Sequence, residues 1–124
     1  MNQKRPVNLD LGTLKFPAMA IASILHRISG IILFLLFPLL LYSLSRSLTS
    51  PETFLQIKTL LTGPFYKLIV WAFGAALMYH FLAGMRHLIM DLGYGESVCA
   101  GRKTAVIVIA LTVVLTIFLG IWLW

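Results

Sequence analysis

The sequence predicts an all-α membrane protein with three transmembrane helices, on the basis of its composition and of three long runs without charge. The chain has 124 residues, of which 60% are hydrophobic and 11% charged. A soluble domain of this size could not bury so much apolar surface. Residues 28–45, 68–85 and 104–124 contain no charged side chain and are 18, 18 and 21 residues long. With flanking residues, each run is long enough to cross a hydrocarbon core of about 30 Å.

The three runs define one transmembrane domain over residues 1–124, with spans at about 22–46, 65–91 and 104–124. A polar segment, residues 1–16, precedes the first span. Pro17 suits the first position of a helix. Pro38 falls inside that helix, where a proline is expected to kink it.

The two connections between spans differ in character. Thr49 or Ser50 followed by Pro51 and Glu52 is typical of a helix start, which predicts a short helix on the outer surface, ended by Gly63 and Pro64. The second connection, "GYGESVCAG" at 93–101, is rich in glycine and predicts a loop on the inner side.

Basic residues predict the orientation of the chain in the membrane. Seven lie before the first charge-free run or at or between the second and third runs: Lys4, Arg5, Lys15, Arg27, Arg86, Arg102 and Lys103. Three lie on the other side: Arg46, Lys58 and Lys67. The positive-inside rule then places the N-terminus in the cytoplasm and the C-terminus in the periplasm. Because the first residues lack the Arg and Ser enrichment of an organelle presequence, we expect a bacterial inner membrane.

The second span contains a histidine at membrane depth. His80 lies six residues before Arg86, and so about 9 Å inside the apolar region. Ionisable side chains at that depth cost roughly 2.5 to 3.5 kcal/mol and are usually functional. Ala72, Ala76 and Gly84 continue an i, i+4 series through His80, which predicts an open slot beside the imidazole.

Two interpretations of His80 stay open from the residues alone. Small residues could let helices approach closely while His80 forms a hydrogen bond with a neighbour. Alternatively, the slot could admit haem, with His80 as an axial ligand to the iron. His87 shares the face of His80 about 10 Å away, and His26 is expected to be about 10 Å too shallow, so a second axial histidine would come from another polypeptide.

The first span begins with the stretch "SILHRISG" at 23–30, where Ser23, His26, Arg27 and Gly30 recur at helical spacing. Arg27 could simply reach lipid head groups, with His26 as an interfacial residue. Alternatively, Ser23 and Arg27 form a donor set for a carbonyl oxygen that gains negative charge on reduction. His26 and Arg86 could equally bind the propionate carboxylates of a haem.

Three stretches together closely resemble the cytochrome b subunits of bacterial succinate dehydrogenase, a family of respiratory membrane anchors. They are "RPVNLDL" at 5–11, "SILHRISG" at 23–30 and "YHFLAGMRHLIMDLG" at 79–93. The resemblance implies that His80 is an axial ligand of haem b and that a second small anchor subunit supplies the other ligand. It implies that Ser23 and Arg27 line the ubiquinone site and that His26 and Arg27 lie near the haem propionates. The role of His87 stays open.

The resemblance also implies a set of partners. The chain would fasten a flavoprotein and an iron-sulfur subunit to the cytoplasmic face, and electrons from succinate would pass through the iron-sulfur subunit to ubiquinone. Dicarboxylate chemistry would belong to the flavoprotein, since this chain has no nucleotide-binding fingerprint. We expect the lipid bilayer but no nucleic acid among its partners.

Two other functions are compatible with three spans. A transporter subunit could use Arg27, His80 and Arg86 along a polar pathway, but residues 31–41 and 106–119 are almost entirely apolar. A structural anchor without haem would need no imidazole at His80, so the presence of that residue argues against it.

Overall fold

The computed structural model describes residues 17–124, and all regular structure in that part of the chain is helical. The helices are α1 (Ala18–Ser47), α2 (Pro51–Thr62), α3 (Pro64–Asp91) and α4 (Val98–Leu123). The three long ones, α1, α3 and α4, are apolar and long enough to cross a membrane. The predicted three-span membrane fold is therefore confirmed. The polar segment 1–16 and the stretch "RPVNLDL" lie outside the described residues.

Local sequence signals explain where the short helix begins and ends. Ser50 caps α2: its hydroxyl accepts a hydrogen bond from the backbone N–H of Thr53, while the Thr53 hydroxyl accepts one from the Ser50 backbone N–H. Pro51 occupies the first turn, and Gly63 separates α2 from Pro64 at the start of α3. The short helix predicted between the first two spans is present.

The connection between α3 and α4 is shorter than predicted. A loop was expected over 93–101, but α4 already begins at Val98 because the Ser97 hydroxyl accepts a hydrogen bond from the backbone N–H of Ala100. Gly93 and Gly95 make the turn with φ values of +88° and +72°, a region open to glycine without steric cost. The charged start of α4 therefore extends beyond the apolar run that predicted the span.

The helix α3 packs antiparallel to both α1 and α4, and α1 and α4 also contact each other. Between α1 and α3, the phenol of Tyr79 donates a hydrogen bond of 2.8 Å to the backbone carbonyl of Ala22. Between α3 and α4, the indole N–H of Trp71 donates to the carbonyl of Thr116 at 2.8 Å. These bonds set the register of α3 against its two neighbours.

Most large apolar side chains point away from the packed interior. Phe34 on α1 is 79% exposed and Trp122 on α4 is 81% exposed. The buried positions of α1, α3 and α4 are instead mostly small residues, including Ala22, Ala76, Ala83 and Ala105. Close helix approach through small residues, with large apolar groups outside, is typical of membrane helices.

Candidate functional site

The His80 ring on α3 is held by two oxygen atoms of α1. Its Nδ1 lies 3.2 Å from the backbone carbonyl oxygen of His26 and 3.1 Å from the hydroxyl oxygen of Ser29. The Ser29 hydroxyl itself donates to the same carbonyl at 2.7 Å. Since a carbonyl can only accept, Nδ1 must carry the proton of the neutral ring. Nε2 of His80 is then the nitrogen with a free lone pair.

Three imidazoles lie side by side in this part of the molecule. The His26 ring stacks on His80 with ring centroids 4.3 Å apart and an angle of 18° between planes. On its other side, His26 lies 5.2 Å from the ring of His87, tilted by 42°. The His26 ring therefore lies between the two histidines of α3.

The expectation that His26 is about 10 Å too shallow to reach the level of His80 is wrong. That estimate took depth from the edge of a charge-free run, whereas depth within the bundle depends on how α1 and α3 align. The inference that His26 and His80 do not bind the same iron still follows, for a different reason. Two axial ligands meet end to end across an iron atom, whereas the rings of His26 and His80 are stacked face to face.

Glycines allow the close contact between α1 and α3. A Cβ atom at Gly30 would lie 3.1 Å from Cε1 of His80, tighter than an ordinary contact, and one at Gly84 would lie 3.5 Å from Nε2 of His26. The slot expected along Ala72, Ala76 and Gly84 is thus not open throughout. Ala72 is exposed, Ala76 is buried, and the His26 ring lies against Gly84.

The four residues at helical spacing on α1, which are Ser23, His26, Arg27 and Gly30, lie in two different surroundings. His26 and Gly30 face α3, where they contact His80. Ser23 is half-buried and Arg27 is exposed. Consecutive residues of a helix are about 100° apart, which explains why Arg27 points away from the contact that its neighbour His26 makes. Arg27 is therefore accessible to a ligand or a partner outside this chain.

Arg86 is buried, with 7% of its surface exposed. Its Nε donates to the Thr104 hydroxyl at 3.0 Å, and its Nη2 donates to the carbonyl oxygen of Gly101 at 3.0 Å. The guanidinium thus links α3 to the start of α4. A haem propionate contact for Arg86 stays a prediction, and any such contact would use its remaining N–H groups.

A cavity of about 300 Å³ lies between α3 and α4, and it is separate from the histidine cluster. Met85, Arg86, Ile89 and Tyr94 contribute to its largely apolar lining. No histidine and no residue of α1 lines it. The histidines of the candidate site therefore lie at the α1–α3 contact, outside this cavity.

The residues at the α1–α3 contact fit a haem in two respects. Nδ1 of His80 faces two oxygen atoms of α1, which assigns the proton of the neutral ring to Nδ1 and leaves Nε2 for a metal, the arrangement commonly found in metal-ligating histidines. Nε2 of His26 is buried and has no hydrogen-bond partner within residues 17–124; as an N–H group it could donate a hydrogen bond to a carboxylate from outside the chain. No cluster of three His, Cys, Asp or Glu side chains suited to a bare metal ion is found in residues 17–124.

Sequence reasoning missed two residues at this contact. Ser29 lies within the "SILHRISG" stretch but is not one of the four positions that the helical spacing indicates, although its hydroxyl reaches His80. Tyr79 precedes His80 directly and binds α1 through its phenol. A serine inside an otherwise apolar helix was the available signal for Ser29, since such a hydroxyl needs a partner.

Comparison with known proteins identifies the family. Residues 1–119 match the succinate dehydrogenase/fumarate reductase transmembrane subunit family. This chain belongs to that family. A relative from Coxiella burnetii, a succinate dehydrogenase cytochrome b556 subunit, is 48% identical over the full length of both chains. Subunits of the same name from Paracoccus denitrificans and Rickettsia typhi are 34% and 33% identical, over 91% and 95% of this chain and 87% and 92% of theirs. The resemblance drawn from the three motifs is confirmed, and the chain is a membrane anchor of the succinate dehydrogenase type.

Proposed function

We propose that this chain is the cytochrome b membrane anchor of a succinate:quinone oxidoreductase, which binds haem b with a partner subunit and contributes to the ubiquinone-reduction site. The observation that carries the proposal is the fixed orientation of His80, whose Nδ1 is held by α1 at 3.2 and 3.1 Å and whose Nε2 is free to bind iron. Family membership supports the assignment, since the relatives are named cytochrome b556 subunits.

His80 would supply one axial ligand to the haem, and the second small anchor subunit would supply the other. When bound, haem b accepts and donates one electron at its iron. Nε2 of His26, which lacks a partner within residues 17–124, would bind a haem propionate, and Arg27 and Arg86 would offer N–H groups to the same carboxylates. A propionate carboxylate at membrane depth needs such hydrogen-bond donors, because an unpaired charge in the bilayer is costly.

Ser23 and Arg27 would bind ubiquinone near the inner face of the membrane. The guanidinium and the hydroxyl both donate hydrogen bonds, and the quinone carbonyl oxygen becomes a stronger acceptor as it gains negative charge. The exposure of Arg27 supports this role, since the group must reach a substrate from outside the helix bundle. Electrons would arrive from the iron-sulfur subunit, and the flavoprotein subunit would oxidise succinate.

The same proposal includes the orientation of the chain in the membrane. The basic excess before α1 and around the α3–α4 connection supports a cytoplasmic N-terminus and a periplasmic C-terminus in a bacterial inner membrane. The flavoprotein and iron-sulfur subunits would then dock on the cytoplasmic side, next to Arg27.

Replacing the proposed iron ligand tests the haem assignment. In the purified complex, His80→Ala should remove or strongly weaken the Soret band and its shift on reduction, because the iron loses an axial nitrogen. His87→Ala is the matched control, since it removes another α3 imidazole of the same cluster and should leave the bands in place. An absorption spectrum unchanged by His80→Ala, with all subunits present, would refute the assignment.

A further inference from the structure

Ser29 is a buried polar side chain whose hydroxyl contacts the proposed iron ligand. It is 5% exposed and lies on α1 among isoleucines and a glycine. A buried hydroxyl in an apolar environment loses its hydrogen bonds to water and needs partners in the protein. Ser29 has two, one on its own helix and one on α3.

The directions of these two hydrogen bonds follow from the atoms involved. The Ser29 hydroxyl has one hydrogen, which it donates to the His26 carbonyl at 2.7 Å. Its oxygen is then an acceptor for Nδ1–H of His80 at 3.1 Å, beside the same carbonyl at 3.2 Å. If the His80 ring turned over, a carbon atom would face both oxygens. Ser29 and the His26 carbonyl thus hold the ring in a single orientation.

We propose that Ser29 is a positioning residue for haem b, and that its hydroxyl lowers the midpoint potential of the haem by accepting a hydrogen bond from Nδ1–H of His80. A hydrogen bond at this nitrogen increases the electron density at Nε2 and makes the imidazole a stronger donor to iron. A stronger donor stabilises the oxidised iron, and hydrogen bonding around the ligands is one of the means by which a protein sets haem potential. The proposal rests on the proposed role of His80 as an axial ligand.

Ser43, another serine of α1, is a control that distinguishes this role of Ser29 from a purely structural one. Ser43 also donates its hydroxyl hydrogen to a carbonyl of its own helix, that of Leu39 at 2.9 Å. Within residues 17–124 its hydroxyl forms no hydrogen bond with α3. Ser43 is thus a serine of α1 whose hydroxyl, among the described residues, bonds only to its own helix. Ser29 differs from it by the additional hydrogen bond to His80.

The experiment compares Ser29→Ala, Ser29→Thr and Ser43→Ala in the purified complex, by haem content and by redox titration of the reduced haem band. Ser29→Ala should keep its haem and raise the midpoint potential, because one of the two acceptors of Nδ1–H is lost. Ser29→Thr keeps the hydroxyl and should stay closer to wild type. Ser43→Ala should match wild type. Haem lost from Ser29→Ala but kept in Ser29→Thr would also support the role of the hydroxyl.

Three results would overturn the proposal for Ser29. The first is a haem midpoint potential in Ser29→Ala equal to that of Ser43→Ala. The second is a midpoint potential in Ser29→Ala below that of the wild type. The third is loss of haem from both Ser29 variants in complexes that contain all subunits. The last would mean that haem binding depends on the exact fit of the side chain at position 29 rather than on its hydroxyl. A wild-type complex without haem, or an unchanged spectrum in His80→Ala, would contradict the proposed function instead.

Discussion

At the residue scale, Gly30 allows α1 to approach His80, the proposed iron ligand, closely. A side chain there would place its first carbon 3.1 Å from Cε1 of His80, so either the ring or the helix would have to move. The ring has little freedom, because its Nδ1 is bound by the His26 carbonyl and by Ser29. Gly84 faces the same cluster, but a carbon at Gly84 would make an ordinary contact at 3.5 Å with Nε2 of His26.

Gly30→Ala is therefore expected to disturb haem binding more than Gly84→Ala. The added methyl group should displace the His80 ring by a few tenths of an ångström and weaken its bonds to α1, at a cost of about 1 to 3 kcal/mol for overpacking. The measurement is haem content per complex, together with the absorption maximum of the reduced haem. Equal haem content and spectra in the two variants would contradict this reading of the α1–α3 contact.

At the element scale, a few polar contacts join each pair of neighbouring helices. Tyr79 ties α3 to α1, and Arg86 ties α3 to α4 through the Thr104 hydroxyl and the Gly101 carbonyl. A guanidinium suits this bridge because its donors have a fixed planar spacing, whereas an ammonium is a single point charge on a flexible stem. Arg86 therefore links α3 to α4 next to the connection between the two helices.

Arg86→Lys is expected to lower the thermal stability of the complex. One ammonium cannot reproduce both contacts in the same geometry, and membrane hydrogen bonds contribute about 0.6 to 2 kcal/mol each. Arg102→Lys, a like change at an exposed position of α4, serves as the control. The test is the temperature at which the detergent-solubilised complex dissociates. If the two variants dissociated at the same temperature, the Arg86 bridge would not contribute to the stability of the bundle.

At the scale of the whole molecule, the chain is a thin bundle whose large apolar side chains mostly face outward. Lipid and the proposed partner subunits would cover that surface, and three membrane-crossing helices are few to enclose a macrocycle. The accessible end of α1 near Arg27 is where this anchor would meet both the substrate and the iron-sulfur subunit. Its proposed activity therefore belongs to the assembled complex.

Arg27→Ala should lower succinate-to-ubiquinone turnover severalfold while leaving succinate oxidation by an artificial acceptor largely intact. The reason is that the variant removes a donor to the reduced quinone oxygen but leaves the flavoprotein unchanged. Arg46→Ala, at the other end of the same helix, is the matched control and should leave both activities unchanged. Equal loss of both activities in Arg27→Ala would instead indicate failed assembly and would contradict a specific quinone role.

The sequence by itself determined the three spans and the short helix between the first two, and it predicted the candidate site residues His80, His26, Ser23, Arg27 and Arg86. These follow from apolar run length, from capping residues and from the cost of polar groups in lipid, all of which are local properties of one segment. Only the tertiary structure placed the His26 ring on His80, brought the Ser29 hydroxyl to Nδ1 and bound Arg86 to α4. Those contacts depend on the register and rotation of one helix against another, which the periodicity of a single helix does not specify.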